Sequence, residues 1–236
     1  MLLSLATRFV GNVYVIQCAG RVILGDEVKA LEGAFETGER EYTRFVVSLG
    51  EVSRLDSIAI GLLVRYAERM NKRGGGVRLA APPAFVENLL NMTKLSRLLP
   101  SYATEEQAIE SFLTEHPADS KAERRGPRVM VADDSADLCV FVRTVLARHG
   151  FDVKSTCSFR DAKILLKTDE VEYIVVGPGT AQLPAETVAQ TLAALAPAAK
   201  VVLLPADFKI RDAQEATDAL LQMFGVSRSS LDSASK

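Results

Sequence analysis

The chain has 236 residues, 48% hydrophobic and 25% charged, with a formal net charge of −2. That balance excludes a disordered chain, and near-neutral charge leaves no footprint for direct nucleic-acid binding. No run reaches the ~18 uninterrupted apolar residues that a membrane span needs. The opening Met1–Val10 lacks a basic leader and is interrupted by Arg8, so it does not read as a signal peptide; a cytoplasmic location is expected. Cys18, Cys139 and Cys157 show no metal-knuckle spacing, and His116 and His149 stand alone. Reduced, buried thiols follow, with no cofactor and no catalytic constellation, hence no enzyme.

The length favours two domains. Pro117–Pro127 is polar, charged and bracketed by prolines, which reads as a linker between residues 1–116 and 128–226; the Ser-rich tail 227–236 is expected to be disordered. In chain order, Leu3–Phe9 and Val13–Ala19 predict a hairpin around Gly11-Asn12. Val28, Leu31 and Phe35 at helical spacing predict a helix. Arg44–Leu49 predicts a short strand, with a turn around Gly50. A helix from Ser57 to Lys72 follows, with Ile58, Leu62, Tyr66 and Met70 four residues apart and Gly74-Gly75-Gly76 to end it. Val77–Ala81 is a further strand. Pro83–Met92 is a helix with Pro83 in its first turn, and Thr104-Glu-Glu-Gln107 opens a last helix in capping-box style.

After the linker, strands at Arg128–Ala132, Val153–Thr156, Tyr173–Val176 and Lys200–Leu204 alternate with helices near Ser135–His149, Phe159–Lys167 and Ala185–Leu195. Strict alternation implies parallel strands with right-handed crossovers, a flavodoxin-like doubly wound pattern. After Asp207 there is one helix, about Arg211–Phe224, and no fifth strand. The open sheet edge this leaves is a place for self-association. On the helix at 57–72, Arg65, Arg69, Lys72 and Arg73 make a basic stretch, most simply a solvated face.

Asp56 or Ser57 can cap the helix that begins there. A phosphate on Ser57 would meet the same free amides and the positive end of the helix dipole. It would add roughly 1.5 to 2 negative charges to the surface, and a docking partner would feel them as repulsion. Val52-Ser-Arg-Leu-Asp-Ser-Ile-Ala-Ile-Gly61 resembles the signature of the STAS family. Ala19-Gly20-Arg21, Gly74-Gly75-Gly76 and Leu89–Leu95 resemble further features of that family. In its anti-sigma-factor-antagonist branch, a kinase phosphorylates the serine after that aspartate, and the unphosphorylated form binds the anti-sigma factor. The resemblance implies a STAS-type mixed α/β sheet over 1–116, Ser57 as phosphosite, and Asp56, Ser57 and Ile58 as the partner-binding patch. The implied partner is an anti-sigma factor or serine kinase of that type. Ile58, Ala59 and Ser48 depart from the family pattern, which has a hydroxyl, a glycine and an aspartate there.

Val129-Met-Val-Ala-Asp-Asp-Ser-Ala-Asp137 resembles the start of a two-component receiver domain, and the resemblance implies that Asp133 and Asp134 match its magnesium-holding pair. The rest of the receiver's chemistry is missing. Gly177-Pro178-Gly179 replaces the acceptor aspartate, Pro205 the hydroxyl, and the fifth-strand lysine has no counterpart. The second half therefore reads as a degenerate receiver in which Asp133 and Asp134 serve as a helix cap in preference to a metal site. Two functions stay open: a phosphorylation-switched regulatory binding protein, and a non-phosphorylated scaffold using both domains as interaction surfaces.

Overall fold

The computed structural model describes residues 3–115, 126–179, 183–208, 210 and 212–225. Of the expected linker only residues 126 and 127 are described, and the tail lies outside the described residues. The chain divides into two compact units, Met1–Ala118 and Asp119–Lys236.

In the first unit, β1 (Ser4–Val10) and β2 (Val13–Val22) form the expected hairpin, closed by the Val10–Val13 pair. Then come α1 (Asp26–Gly38), β3 (Arg44–Leu55), α2 (Ser57–Lys72), β4 (Gly76–Ala80), α3 (Ala84–Met92), β5 (Ser101–Tyr102) and α4 (Glu105–Glu115). The sheet order is β5-β4-β3-β2-β1, antiparallel only between β1 and β2, so the sheet is mixed.

One expectation fails here: there is no turn at Gly50. β3 runs through it to Leu55, because β2 also extends to Val22 and supplies parallel partners, Ala19 for Glu51, Gly20 for Val52 and Val22 for Leu55. Two register shifts, opposite Gln17–Ala19 and Gly20–Arg21 of β2, each leave one extra residue on β3. Pro83 is the cap before α3 rather than a residue of its first turn.

The core follows the apolar spacing. Val28, Leu31 and Phe35 of α1 and Leu62, Leu63, Tyr66 and Met70 of α2 are buried. Phe35 stacks on Tyr66 at 4.3 Å between centroids and lies 5.2 Å from Phe45 of β3; such ring pairs contribute about 0.5–1.5 kcal/mol beyond area burial. Gly74 ends α2 at φ 77°, with the Gly75 amide donating to the Met70 carbonyl (2.9 Å) and the Gly74 amide to that of Asn71 (3.1 Å). This is a Schellman closure, whose left-handed residue favours glycine. Thr104 Oγ1 accepts from the Gln107 amide at 3.2 Å, which starts α4 as expected.

In the second unit, β6 (Arg128–Ala132), α5 (Ala136–Arg148), β7 (Asp152–Thr156), α6 (Phe159–Thr168), β8 (Tyr173–Val176), α7 (Ala185–Leu195), β9 (Lys200–Leu203) and α8 (Ala213–Met223) alternate as expected. All strand pairs within the unit are parallel, in the order β7-β6-β8-β9. This is the doubly wound order of the flavodoxin-like type. Among the described residues no fifth strand follows β9. The segment after it folds as α8, whose end is anchored by Phe224 against Phe151 (5.2 Å) and Tyr173 (5.1 Å).

Candidate functional site at the head of the second helix

Asp56 leaves β3 in extended conformation, its amide donating to the Val22 carbonyl (3.2 Å), and becomes the N-cap of α2. One carboxylate oxygen accepts from the Ala59 amide at 2.9 Å. The other accepts from the Leu24 amide at 2.7 Å, 32 residues away in the loop before α1. The side chain thus ties two loops together. Desolvation pushes its carboxyl upward, but the amides of Ala59, Leu24 and Ile58 outweigh it and hold the group below the ordinary aspartate value.

Ser57 is the first residue of the helix and is exposed. Beside it Ile58 is 45% exposed and Leu24 67%. An exposed hydroxyl is therefore followed by an uncovered apolar side chain, and the Leu24 amide is tied to the same helix head through Asp56. Two features differ from the sequence expectation. The amides offered to a phosphate are already engaged by Asp56, so a phosphate on Ser57 would compete with that carboxylate. Leu24 is brought to the head of α2 as well, by a long-range hydrogen bond that leaves no local pattern in the sequence. A second apolar stripe lies on α3, where Phe85, Leu89 and Met92 are exposed, Met92 at 84%. The basic stretch on α2 is partly neutralised: Arg65 pairs with Glu32 (2.6 Å) and Arg69 with Glu39 (3.0 Å).

In the second unit Asp133 is buried and commits both oxygens to backbone amides, Ser135 at 2.7 Å and Gly179 at 2.8 Å. Burial raises its pKa, with the negative Asp134 adding to the rise; the two amide bonds oppose it. Asp134 is exposed, and its amide donates to the Gly179 carbonyl (2.6 Å). The cap of α5 is Ser135, which accepts from the Leu138 amide at 3.3 Å. A Cβ at Gly177 would lie 2.0 Å from an Asp133 carboxylate oxygen. Asp133 therefore fills the space that any side chain at 177 would need. With both its oxygens facing amides, the pair does not fit a magnesium site of the receiver kind. Among the described residues no group of three or more His, Cys, Asp or Glu is placed to hold a metal ion. A cleft of about 510 Å³ opens over Asp133, Leu138, Pro178 and Phe208. Thr180 and His116 lie outside the described residues; His149 bonds the Val145 carbonyl at the end of α5 (2.8 Å). Among the described residues no helix is long and apolar enough to cross a membrane.

Comparison with known proteins places these features. The STAS domain model matches residues 4–108. A Thermotoga maritima protein that carries the name of an anti-sigma factor antagonist is 30% identical over 69 residues, which is 29% of this chain and 61% of that protein. The matched stretch is thus less than two thirds of the relative's length. The structure of the Bacillus cell fate determinant SpoIIAA in its phosphorylated form aligns at 20% identity and TM-score 0.40, covering 46% of this chain and 98% of SpoIIAA. A Burkholderia pseudomallei response regulator with a phosphorylated aspartic acid aligns at 18% identity and TM-score 0.33, covering 40% of this chain and 55% of that one. Over residues 4–108, then, the chain matches the STAS domain model, and a relative over part of that stretch carries the name of an anti-sigma factor antagonist.

Proposed function

We propose that this protein is a regulatory binding module, an anti-sigma-factor antagonist switched by phosphorylation of Ser57. The observation that carries this reading is an exposed serine at the first position of α2, next in sequence to the uncovered Ile58 and at the helix head to which the exposed Leu24 is tied through Asp56. In the unphosphorylated state these two apolar groups and the Ser57 hydroxyl form the docking patch, and burying them drives association. The partner is an anti-sigma factor with serine kinase activity. It supplies the phosphoryl group and the catalysis; this chain supplies only the acceptor oxygen. A phosphate on Ser57 places roughly 1.5 to 2 negative charges next to the ionised Asp56 and in the middle of the patch. Rebinding then requires desolvating those charges, which disfavours the complex. Asp56 keeps the switch local, because its two short bonds hold the loops in place on either side. The second unit is a degenerate receiver that adds a binding surface and has no phosphoryl chemistry of its own. A cytoplasmic location suits such a partner.

A second reading, a scaffold without phosphorylation, is favoured by Ile58, an exposed apolar residue where the family pattern has a hydroxyl. Incubation with candidate anti-sigma kinases and ATP, followed by intact mass and fragment mapping, separates the two. One added phosphate on Ser57, together with binding kept by Ser57→Ala and weakened roughly tenfold or more by Ser57→Asp (~1.4 kcal/mol), supports the switch. Equal binding by both variants with no added phosphate overturns it and leaves the scaffold.

A further inference from the structure

Cys139 lies in α5 and is fully buried, while Cys157 immediately follows β7 and is partly exposed. They are eighteen positions apart in sequence (157 minus 139), yet the fold brings them together. The Cys139 thiol lies 3.4 Å from both the Asp133 carbonyl and the carbonyl of Thr156, the residue that precedes Cys157. The Cys139 thiol thus lies against the peptide that leads into Cys157, and each thiol shifts the other's pKa. We propose that Cys139 and Cys157 form a reversible redox pair, with Cys157 reacting first with a hydroperoxide and Cys139 resolving it to an intramolecular disulfide.

The chemistry balances. The Cys157 sulfur attacks the O–O bond of hydrogen peroxide; an S–O bond forms, the O–O bond breaks, and the departing hydroxide takes a proton to leave as water. The Cys139 sulfur then attacks the Cys157 sulfenic sulfur; an S–S bond forms, the S–O bond breaks, and a second water leaves with the Cys139 proton. Two thiols lose two electrons and one peroxide becomes two waters. The order of attack follows from access and charge. Cys157 is reachable, and the Cys139 thiol lowers its pKa against burial and the negative Asp133, Asp134 and Asp161. Cys139 is enclosed and its pKa is raised, first by the Cys157 thiol and then by burial. Those three carboxylates slow the thiolate step relative to an electropositive site, and the neighbouring thiol traps its product. Oxidation also removes the proton that Cys139 shares with the Asp133 and Thr156 carbonyls, so it acts on the same loop that encloses the cleft.

The full-length protein, reduced and then exposed to hydrogen peroxide, is expected to lose two hydrogens in intact mass, with the bridge mapped to the fragments holding 139 and 157, and to regain them with dithiothreitol. Cys139→Ser should stall at a sulfenic acid on Cys157 that dimedone captures; Cys139→Ala serves if the serine variant loses its native circular dichroism. Cys157→Ser should abolish both products. Cys18 is the internal control, since burial pushes its thiol up to about 12. No mass change, over-oxidation of Cys157 with Cys139 still reduced, a bridge to Cys18, or a bridge between two chains would each overturn the proposal.

Discussion

Asp56 and Asp133 each stand at the start of a helix, and their surroundings drive them in opposite directions. Asp56 is held below its ordinary value by amides that outweigh desolvation. The stability it contributes is complete above its unfolded value of about 3.9 and is lost as pH falls through the lower folded value. Asp133 is raised, chiefly by burial. The cost of its charge is therefore present above the raised folded value and is relieved as pH falls from there toward about 3.9. Asp56→Asn is expected to flatten the acid limb of the first unit, and Asp133→Asn to remove the acid-side gain of the second; unfolding measured across pH checks both, and residue-resolved carboxyl NMR titration of the unsubstituted chain checks the two directions. Phosphorylation of Ser57 should raise the Asp56 value in the same experiment, because the added charge is of the same sign. Asp56→Ala should cost about 1 kcal/mol as a lost cap, with the Leu24 bond adding to that figure, measured by urea unfolding. Gly177→Ala should cost roughly 1–3 kcal/mol in thermal unfolding, since the new carbon has no space beside Asp133.

Between elements, the packing of α1 on α2 depends on rings far more than on charges. Phe35 is fully buried between Tyr66 and Phe45, so Phe35→Ala should cost about 3–5 kcal/mol. Arg65 pairs with Glu32 at the exposed surface, and Arg65→Ala should cost less than about 0.5 kcal/mol, a difference that shrinks further with added salt; chemical denaturation at two ionic strengths reads both. The same contrast explains what the chain disclosed in advance. The bounds of α2 were legible because a cap residue, a four-residue apolar repeat and a glycine stop coincide within the nineteen residues from Asp56 to Gly74. Gly50 was misleading: glycine usually marks a turn, but here the register of β2 against β3 overrides that local preference. The bond from Leu24 to Asp56 and the meeting of Cys139 with Cys157 leave no local pattern at all. Both arise from tertiary placement, so only the three-dimensional arrangement reveals them.

At the scale of the whole molecule, each unit has its own buried core, one built around Phe35, Tyr66 and the β2–β3 strands and the other around β6 and β8. Residues 1–118 made alone are therefore expected to unfold cooperatively in urea, with a kinase response at Ser57 like that of the full chain; a broad, non-cooperative transition would show that the rest of the chain is needed. The second unit carries a different lesson in Asp133 and Gly177. A carboxylate introduced at position 177 meets the one already at 133. Removing Asp133 first strands the amides of Ser135 and Gly179 without their acceptor. Either substitution alone is therefore worse than the present pairing. The two positions are coupled across 44 residues of sequence (177 minus 133), so the loop they share tolerates change at one only when the other changes with it.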